Sequence, residues 1–192
     1  MARIVVVNWV TLDGVMQGPG RADEDTRDGF ADGGWAEQYN DPVINSKLGA
    51  VMGGEHAWLF GRTTYEGLLS SWNQQGGPFK DALNDTQKYV ASANRQAALD
   101  WPRSTLLCGD VPDAVRRLKS RSDVDLIVMG SGVLVSSLVG ADLIDSYVLM
   151  IAPIVLGRGR RLFAEGLRTS LRLVESTATS SGAMVARYDR DR

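Results

Sequence analysis

The feature that most constrains the fold is the run Arg3–Val10, RIVVVNWV, which is apolar and β-branched almost throughout. A run that apolar predicts a central strand buried on both faces. Such a strand needs a covering layer on each side, and helical crossovers between parallel strands supply one. The run ends in Leu12-Asp13-Gly14, a turn signal.

The rest of the chain repeats the theme. Strands are predicted at Ala57–Gly61, Lys88–Ser92, Ser104–Leu107 and Asp125–Met129, with helices between them. Pro42 opens a helix to about Met52, with Asp41 as N-cap. A helix starts at Arg62, where ordinary capping by Thr63 with an exposed Arg62 is the alternative to a ligand-binding role, and a short one spans Phe79–Thr86. Asp110–Arg121 is a helix with Asp110 as cap, Pro112 in its first turn and late cations. Gly130-Ser131-Gly132 turns into a helix ending near Val139. The last third is strands only. Leu143–Ile151 is extended past Pro153 by Ile154–Leu156, and Leu171–Thr177 pairs with Ala183–Tyr188 as a hairpin. The expectation is one α/β domain over residues 1–192, with a mixed, mostly parallel sheet, helices on both faces and a C-terminal antiparallel hairpin. Residues 17–41 are long and polar enough to be either a functional loop or disordered.

Composition removes several function classes. The length of 192 residues suits one domain, and a net charge of −2 gives no global attraction to nucleic acid. One Cys and one His exclude a disulfide framework and a Cys/His zinc cluster, so no metal site is expected. His56 reads as a solvated loop residue, and Cys108 as a small buried one. No stretch resembles a signal peptide or a membrane span, so a cytoplasmic protein without a membrane partner is expected.

Three polar strand ends carry the chemistry. Gly130-Ser131-Gly132 follows a buried strand and opens a helix, so bare backbone and free N–H groups there suit a pyrophosphate. Val135 stands where a dinucleotide fingerprint has its third small residue, and a ligand-free tight turn explains the glycines equally well. Gly61-Arg62-Thr63-Thr64 offers N–H groups, hydroxyls and a guanidinium, and Ser92-Ala93-Asn94-Arg95 adds hydroxyl, amide and guanidinium. Ligands of parallel α/β sheets collect at the carboxyl ends of strands.

In order and spacing, five segments resemble the dihydrofolate reductase-like family, in the branch of the C-terminal reductase domain of the bifunctional riboflavin deaminase-reductase. They are Thr11–Val15, Gly61–Glu66, Lys88–Ser92, Gly130–Gly132 and Pro153–Gly159. The resemblance spans nearly the whole chain. It implies a three-layer fold with about eight strands, an NADPH-dependent reductase of a small heterocyclic, carbonyl or imine substrate, and a homodimer. It implies that Arg62, Thr63 and Thr64, after Gly61, meet the cofactor phosphates. Ser92, Ala93, Asn94 and Arg95 would lie near the adenosine 2′-phosphate, and Gly130, Ser131, Gly132, Val133 and Leu134 under the pyrophosphate. Leu12, Asp13, Gly14 and Met16 would border the nicotinamide and substrate.

The carboxylate that meets the pterin in folate reductases has Asp41 as its nearest counterpart, at looser spacing, and helix capping also accounts for Asp41. Asp13, Asp41, or a water either one orders, are the candidates for proton supply. Trp9 and Trp35 are core or lid residues, with flat faces that suit a planar substrate. Arg158, Arg160 and Arg161 form either a solvated turn or an anion site. A nucleotide-binding module without catalysis is the rival reading.

Overall fold

The computed structural model describes residues 2–191. Eight strands are ordered β4-β3-β2-β5-β1-β6-β8-β7. They are β1 (Ile4–Thr11), β2 (His56–Gly61), β3 (Lys88–Ala91), β4 (Ser104–Leu107), β5 (Asp125–Met129), β6 (Ser146–Ala152), β7 (Leu171–Ala178) and β8 (Met184–Arg190). Five helices join them: α1 (Pro42–Met52), α2 (Arg62–Gln75), α3 (Pro78–Asp85), α4 (Val111–Arg121) and α5 (Gly132–Gly140). The chain forms two compact units, one built of residues up to Val5 with Glu55–Ile144, the other of Val6–Gly54 with the chain from Asp145 onward.

In the first unit, β2 pairs in parallel with β3 and β5, and β3 with β4. Ala57 to Phe60 and Leu126 to Val128 are at most 2% exposed, the double-sided burial their apolar runs require. Tyr65 and Leu69 seal α2 and are fully buried, each such side chain contributing about 1.5–3 kcal/mol. The Tyr65 hydroxyl donates to Ser104 Oγ at 3.0 Å and accepts the Trp101 N–H at 3.1 Å. The α3 helix ends on a buried cation. Lys88 Nζ donates to the carbonyls of Leu83, Thr86 and Asn84 at 2.5, 2.7 and 3.3 Å. Those carbonyls have no partner further along the helix.

In the second unit, β8 runs antiparallel to both β6 and β7, with a bulge between Leu173 and Glu175. Asp41 caps α1, accepting the Val43 N–H at 2.8 Å, with Pro42 at the first helical position. Residues 17–41 hold two single 3-10 turns, Arg27–Gly29 and Glu37–Tyr39. Phe30, Trp35 and Ala36 from this segment pack with Val15 and Ala152 in a buried cluster. The segment is therefore a loop anchored to the core through these residues.

Several local expectations are corrected. Strand β6 starts at Ser146, so Leu143 and Ile144 lie before it. Ile154–Leu156 is not a strand, because the Ile154 N–H closes back onto the Ala152 carbonyl at 2.8 Å. Thr63 does not cap α2. The N-cap is Gly61, which has no side chain to offer. His56 is the first residue of β2, edge-on to Trp58 with ring centroids 4.9 Å apart, and is no solvated loop residue. Cys108 follows the edge strand β4 and is exposed.

Candidate functional site

Because β3, β2 and β5 are adjacent and parallel, their carboxyl ends lie at one edge of the first unit. That register brings together Gly61–Thr64, Ser92–Arg95 and Gly130–Leu134. The N-terminus of α2 carries no side-chain cap, so its first N–H groups are open to an anion. Arg62 Nε meets Glu66 Oε1 at 2.6 Å across one helical turn, and both side chains are half exposed. Arg95 is exposed and lies against Gly109, and no carboxylate partners it among the described residues.

The loop after β3 is internally braced. Ser92 Oγ accepts the Asn94 N–H at 3.1 Å, and Asn94 Oδ1 accepts the Gln96 N–H at 2.9 Å. Ser92 is 7% exposed, whereas Ala93, Asn94 and Arg95 are all exposed to solvent.

The glycines at this edge have partners inside the chain. A Cβ on Gly61 would lie 2.6 Å from Ser131 Cβ, and one on Gly130 would lie 2.9 Å from Thr64 Cγ2. Gly130 also has φ +73°, in the left-handed region. Ser131 sits at φ 66°, and its hydroxyl accepts the Leu134 N–H at 3.3 Å as the cap of α5. This spends one N–H of α5 within the chain. Val133 is 77% exposed, and Leu134 is buried.

In the second unit, the turn after β1 is closed by hydrogen bonds. Thr11 N–H donates to the Val15 carbonyl, and Val15 N–H to Thr11 Oγ1, both at 2.9 Å. Gly14 adopts φ +81° there. Asp13 accepts the Thr11 hydroxyl at 2.6 Å and the N–H groups of Gly157 and Leu156 at 2.9 and 3.2 Å. The Thr11 hydroxyl, with those backbone donors, holds the Asp13 carboxyl below its usual 3.8. Leu12 projects with 64% exposure, and the Met16 N–H binds the Arg160 carbonyl at 2.9 Å.

Asp41 is 3% exposed, and both its oxygens are engaged. Oδ1 takes the Val43 N–H, and Oδ2 takes the Ser180 hydroxyl and N–H at 2.6 and 3.0 Å. The Ser180 hydroxyl, then the Val43 N–H, hold its carboxyl below the usual 3.8. Trp35 is 5% exposed, donates its indole N–H to the Gln17 carbonyl at 2.7 Å and meets Trp9 edge-on at 6.4 Å. Trp35 is thus a core residue here, and Trp9 keeps partial exposure.

Three residues that sequence reasoning passed over organise this architecture. Gln17 is 3% exposed and spans three segments. Its amide donates to the carbonyls of Asp25 and Arg27, and its carbonyl accepts the Arg160 N–H at 2.9 Å. Lys88 and Ser180 are the others. Nothing local to a lysine opening a strand or a serine in a hairpin tip signals these roles, because the groups that engage them are set by tertiary contact.

The sequence model of the RibD C-terminal domain matches residues 2–185. An uncharacterised protein of Bacillus subtilis, YyaP, is 26% identical, with 97% of this chain and 94% of that protein covered. Among solved structures, a protein named for riboflavin biosynthesis, from Shewanella sp. PV-4, is 23% identical with a TM-score of 0.75 and full coverage of both chains. Dihydrofolate reductase from Enterococcus faecalis, solved with NADP(H) and RAB-propyl, is 12% identical with a TM-score of 0.62, covering 99% of this chain and 97% of that one. A pyrimidine reductase-like protein from Corynebacterium diphtheriae is 12% identical with a TM-score of 0.65, covering 100% and 92%. At these identities the structural neighbours show the fold, which is that of the dihydrofolate reductases. Among the described residues, no helix is long and apolar enough to cross a membrane.

Proposed function

Because the chain belongs to the RibD C-terminal domain family, we propose that it is an NADPH-dependent reductase of a small heterocyclic, pterin- or pyrimidine-like, or carbonyl or imine substrate. The observation that carries the reading is the uncapped N-terminus of α2, adjacent in register to the ends of β3 and β5. Arg62, Thr63 and Thr64, with the α2 N–H groups, take the cofactor phosphates. Arg95, without an acid partner among the described residues, takes the 2′-phosphate. Gly130–Leu134 give the pyrophosphate a backbone surface. NADPH bound there supplies the hydride.

On this reading, Leu12, Gly14 and Met16 border the nicotinamide, and Trp9 meets the substrate. Asp13 and Asp41 act as ionised acceptors. A carboxylate held below its usual pKa is a poor acid at neutral pH, so the proton comes from water and the two aspartates position the chain around it. The protein works as a homodimer, a reading supported by the exposed edge strand β7 with Leu173 and Val174.

Titration of the purified protein with NADPH tests the cofactor, read by nicotinamide fluorescence and thermal shift. Saturable binding is expected, and its absence at millimolar NADPH overturns the reading. The commitment of Asp13 and Asp41 to structural hydrogen bonds favours a second reading, a nucleotide-binding module without catalysis. NADPH binding without turnover across pterin, pyrimidine, carbonyl and imine substrates would select it.

A further inference from the structure

Strand β4 is an edge of the sheet in the first unit, only 4 residues long and paired on one side. Its register against β3 matches Lys88 with Ser104 and Ala91 with Leu107, and the Ser92 N–H continues the ladder to the Leu107 carbonyl at 3.0 Å. A parallel pair that short is held by few hydrogen bonds. Ser92–Arg95 leave from the end of β3, and Cys108 and Gly109 from the end of β4. The Arg95 guanidinium lies against Gly109, where a Cβ would stand 3.6 Å from its terminal nitrogen. The seat of Arg95 is therefore set by both strands.

The start of β4 is tied to α2. Tyr65 is fully buried, and its hydroxyl donates to Ser104 Oγ at 3.0 Å while accepting the Trp101 N–H at 3.1 Å. The Trp101 ring packs edge-on against Tyr65 with centroids 5.1 Å apart, and the Ser104 hydroxyl donates onward to the Pro102 carbonyl at 3.4 Å. Between these contacts stands Arg103, a non-glycine residue in the left-handed region at φ 52°, whose carbonyl accepts the Lys88 N–H at 2.7 Å. A residue in that conformation persists only where its surroundings fix it. One phenol, next in sequence to Thr64, bonds the chain on both sides of it.

We propose that Tyr65 is a positioning residue for cofactor selectivity: its hydroxyl locks the start of β4 to α2 and so holds Arg95 over Gly109, in place for the 2′-phosphate. The inference rests on the NADPH reading above and adds to it a group that touches no cofactor. The phosphates common to NADPH and NADH meet the N-terminus of α2, which the buried ring of Tyr65 keeps packed. Loss of the hydroxyl alone therefore falls on the 2′-phosphate contact.

Dissociation constants of the full chain for NADPH and NADH, read by nicotinamide fluorescence, test it in the parent, Y65F, S104A, R95Q and Y65F/R95Q. Y65F keeps the ring, and S104A removes the acceptor without touching α2. Each is expected to lower the preference for NADPH over NADH about fivefold, part of the roughly tenfold that one charge-assisted hydrogen bond supplies, with the NADH constant unchanged. In the R95Q background Y65F is expected to change nothing further, the non-additivity of residues that act through one contact. Near-UV circular dichroism matching the parent shows that a variant is folded. If Y65F fails that check, S104A and S104A/R95Q carry the comparison. The inference alone is overturned if the parent prefers NADPH and either folded variant, Y65F or S104A, keeps that preference. It is equally overturned if they weaken both cofactors alike, or if their losses add to that of R95Q. A parent that binds neither cofactor, or both equally, overturns the NADPH reading and this inference with it.

Discussion

Ser180 donates both its hydroxyl and its backbone N–H to one carboxylate oxygen of Asp41, at 2.6 and 3.0 Å, across 139 residues of sequence. The other oxygen caps α1. Asp41 therefore fastens the tip of the β7–β8 hairpin to the start of a helix. D41N keeps the shape but weakens acceptance, and its melting temperature is expected to fall by several degrees while turnover, once a substrate is known, changes only a few-fold. Loss of turnover with an unchanged melting temperature would return Asp41 to the chemistry.

Acid should loosen the same unit through Asp13. Its carboxyl is held below 3.8 in the folded state, so the unfolded chain binds the proton more readily. The stability it contributes is fully present above about pH 4 and is lost as pH falls through the depressed value. D13N is expected to flatten the acid limb of a pH–stability curve and to lower stability at pH 7. An acid limb parallel to the parent's would contradict this.

Lys88 gives a trend at the other end of the scale. Burial pushes its ammonium down from 10.5 to about 8. Between those values the unfolded chain holds more protons, so this group raises stability as pH climbs from about 8 toward 10.5. K88M should remove that rise. It should also cost about 1–3 kcal/mol at pH 7, because the buried carbonyls at the end of α3 lose their donor. Urea denaturation of both proteins at pH 7 and pH 10 measures both effects.

Gly61 and Ser131 form a testable pair. G61A places a methyl against Ser131 and is expected to destabilise by about 1–3 kcal/mol. S131G removes the obstruction and relieves a left-handed non-glycine residue. The double variant should recover most of the loss, with a coupling of about 0.5–3 kcal/mol in a double-mutant cycle. Strict additivity would show that the two residues do not press on each other.

Cofactor preference separates the two arginines. Arg62 is already paired with Glu66, whereas no carboxylate among the described residues pairs with Arg95. R95Q is expected to raise the NADPH KM about tenfold, the scale of one charge-assisted hydrogen bond, with little effect on NADH. R62Q should affect both cofactors similarly and less. Equal effects of R95Q on NADPH and NADH would remove the 2′-phosphate contact.

Local patterning carried much of this protein in its sequence. The apolar runs at 4–10, 57–60 and 126–128 could be buried only as central strands, and Asp41-Pro42 and Asp110-Pro112 marked helix starts that the structure keeps. These features depend on neighbours a few residues away, so they are legible one segment at a time. The alternation of strands and helices followed by a terminal hairpin likewise implied a mixed sheet. The glycines at 61 and 130 could be read as turn residues, but their partners could not.

What only the tertiary structure decided are the long-range partnerships. Ser131 and Thr64 explain the glycines, Ser180 occupies Asp41, and the carbonyls ending α3 hold Lys88. Asp28 and Asp32 neutralise arginines more than a hundred residues away. A side chain's charge and hydrogen-bonding capacity are written in the sequence. Whether that capacity remains free for a ligand depends on which distant groups the fold brings within about 3 Å, and that is a property of packing.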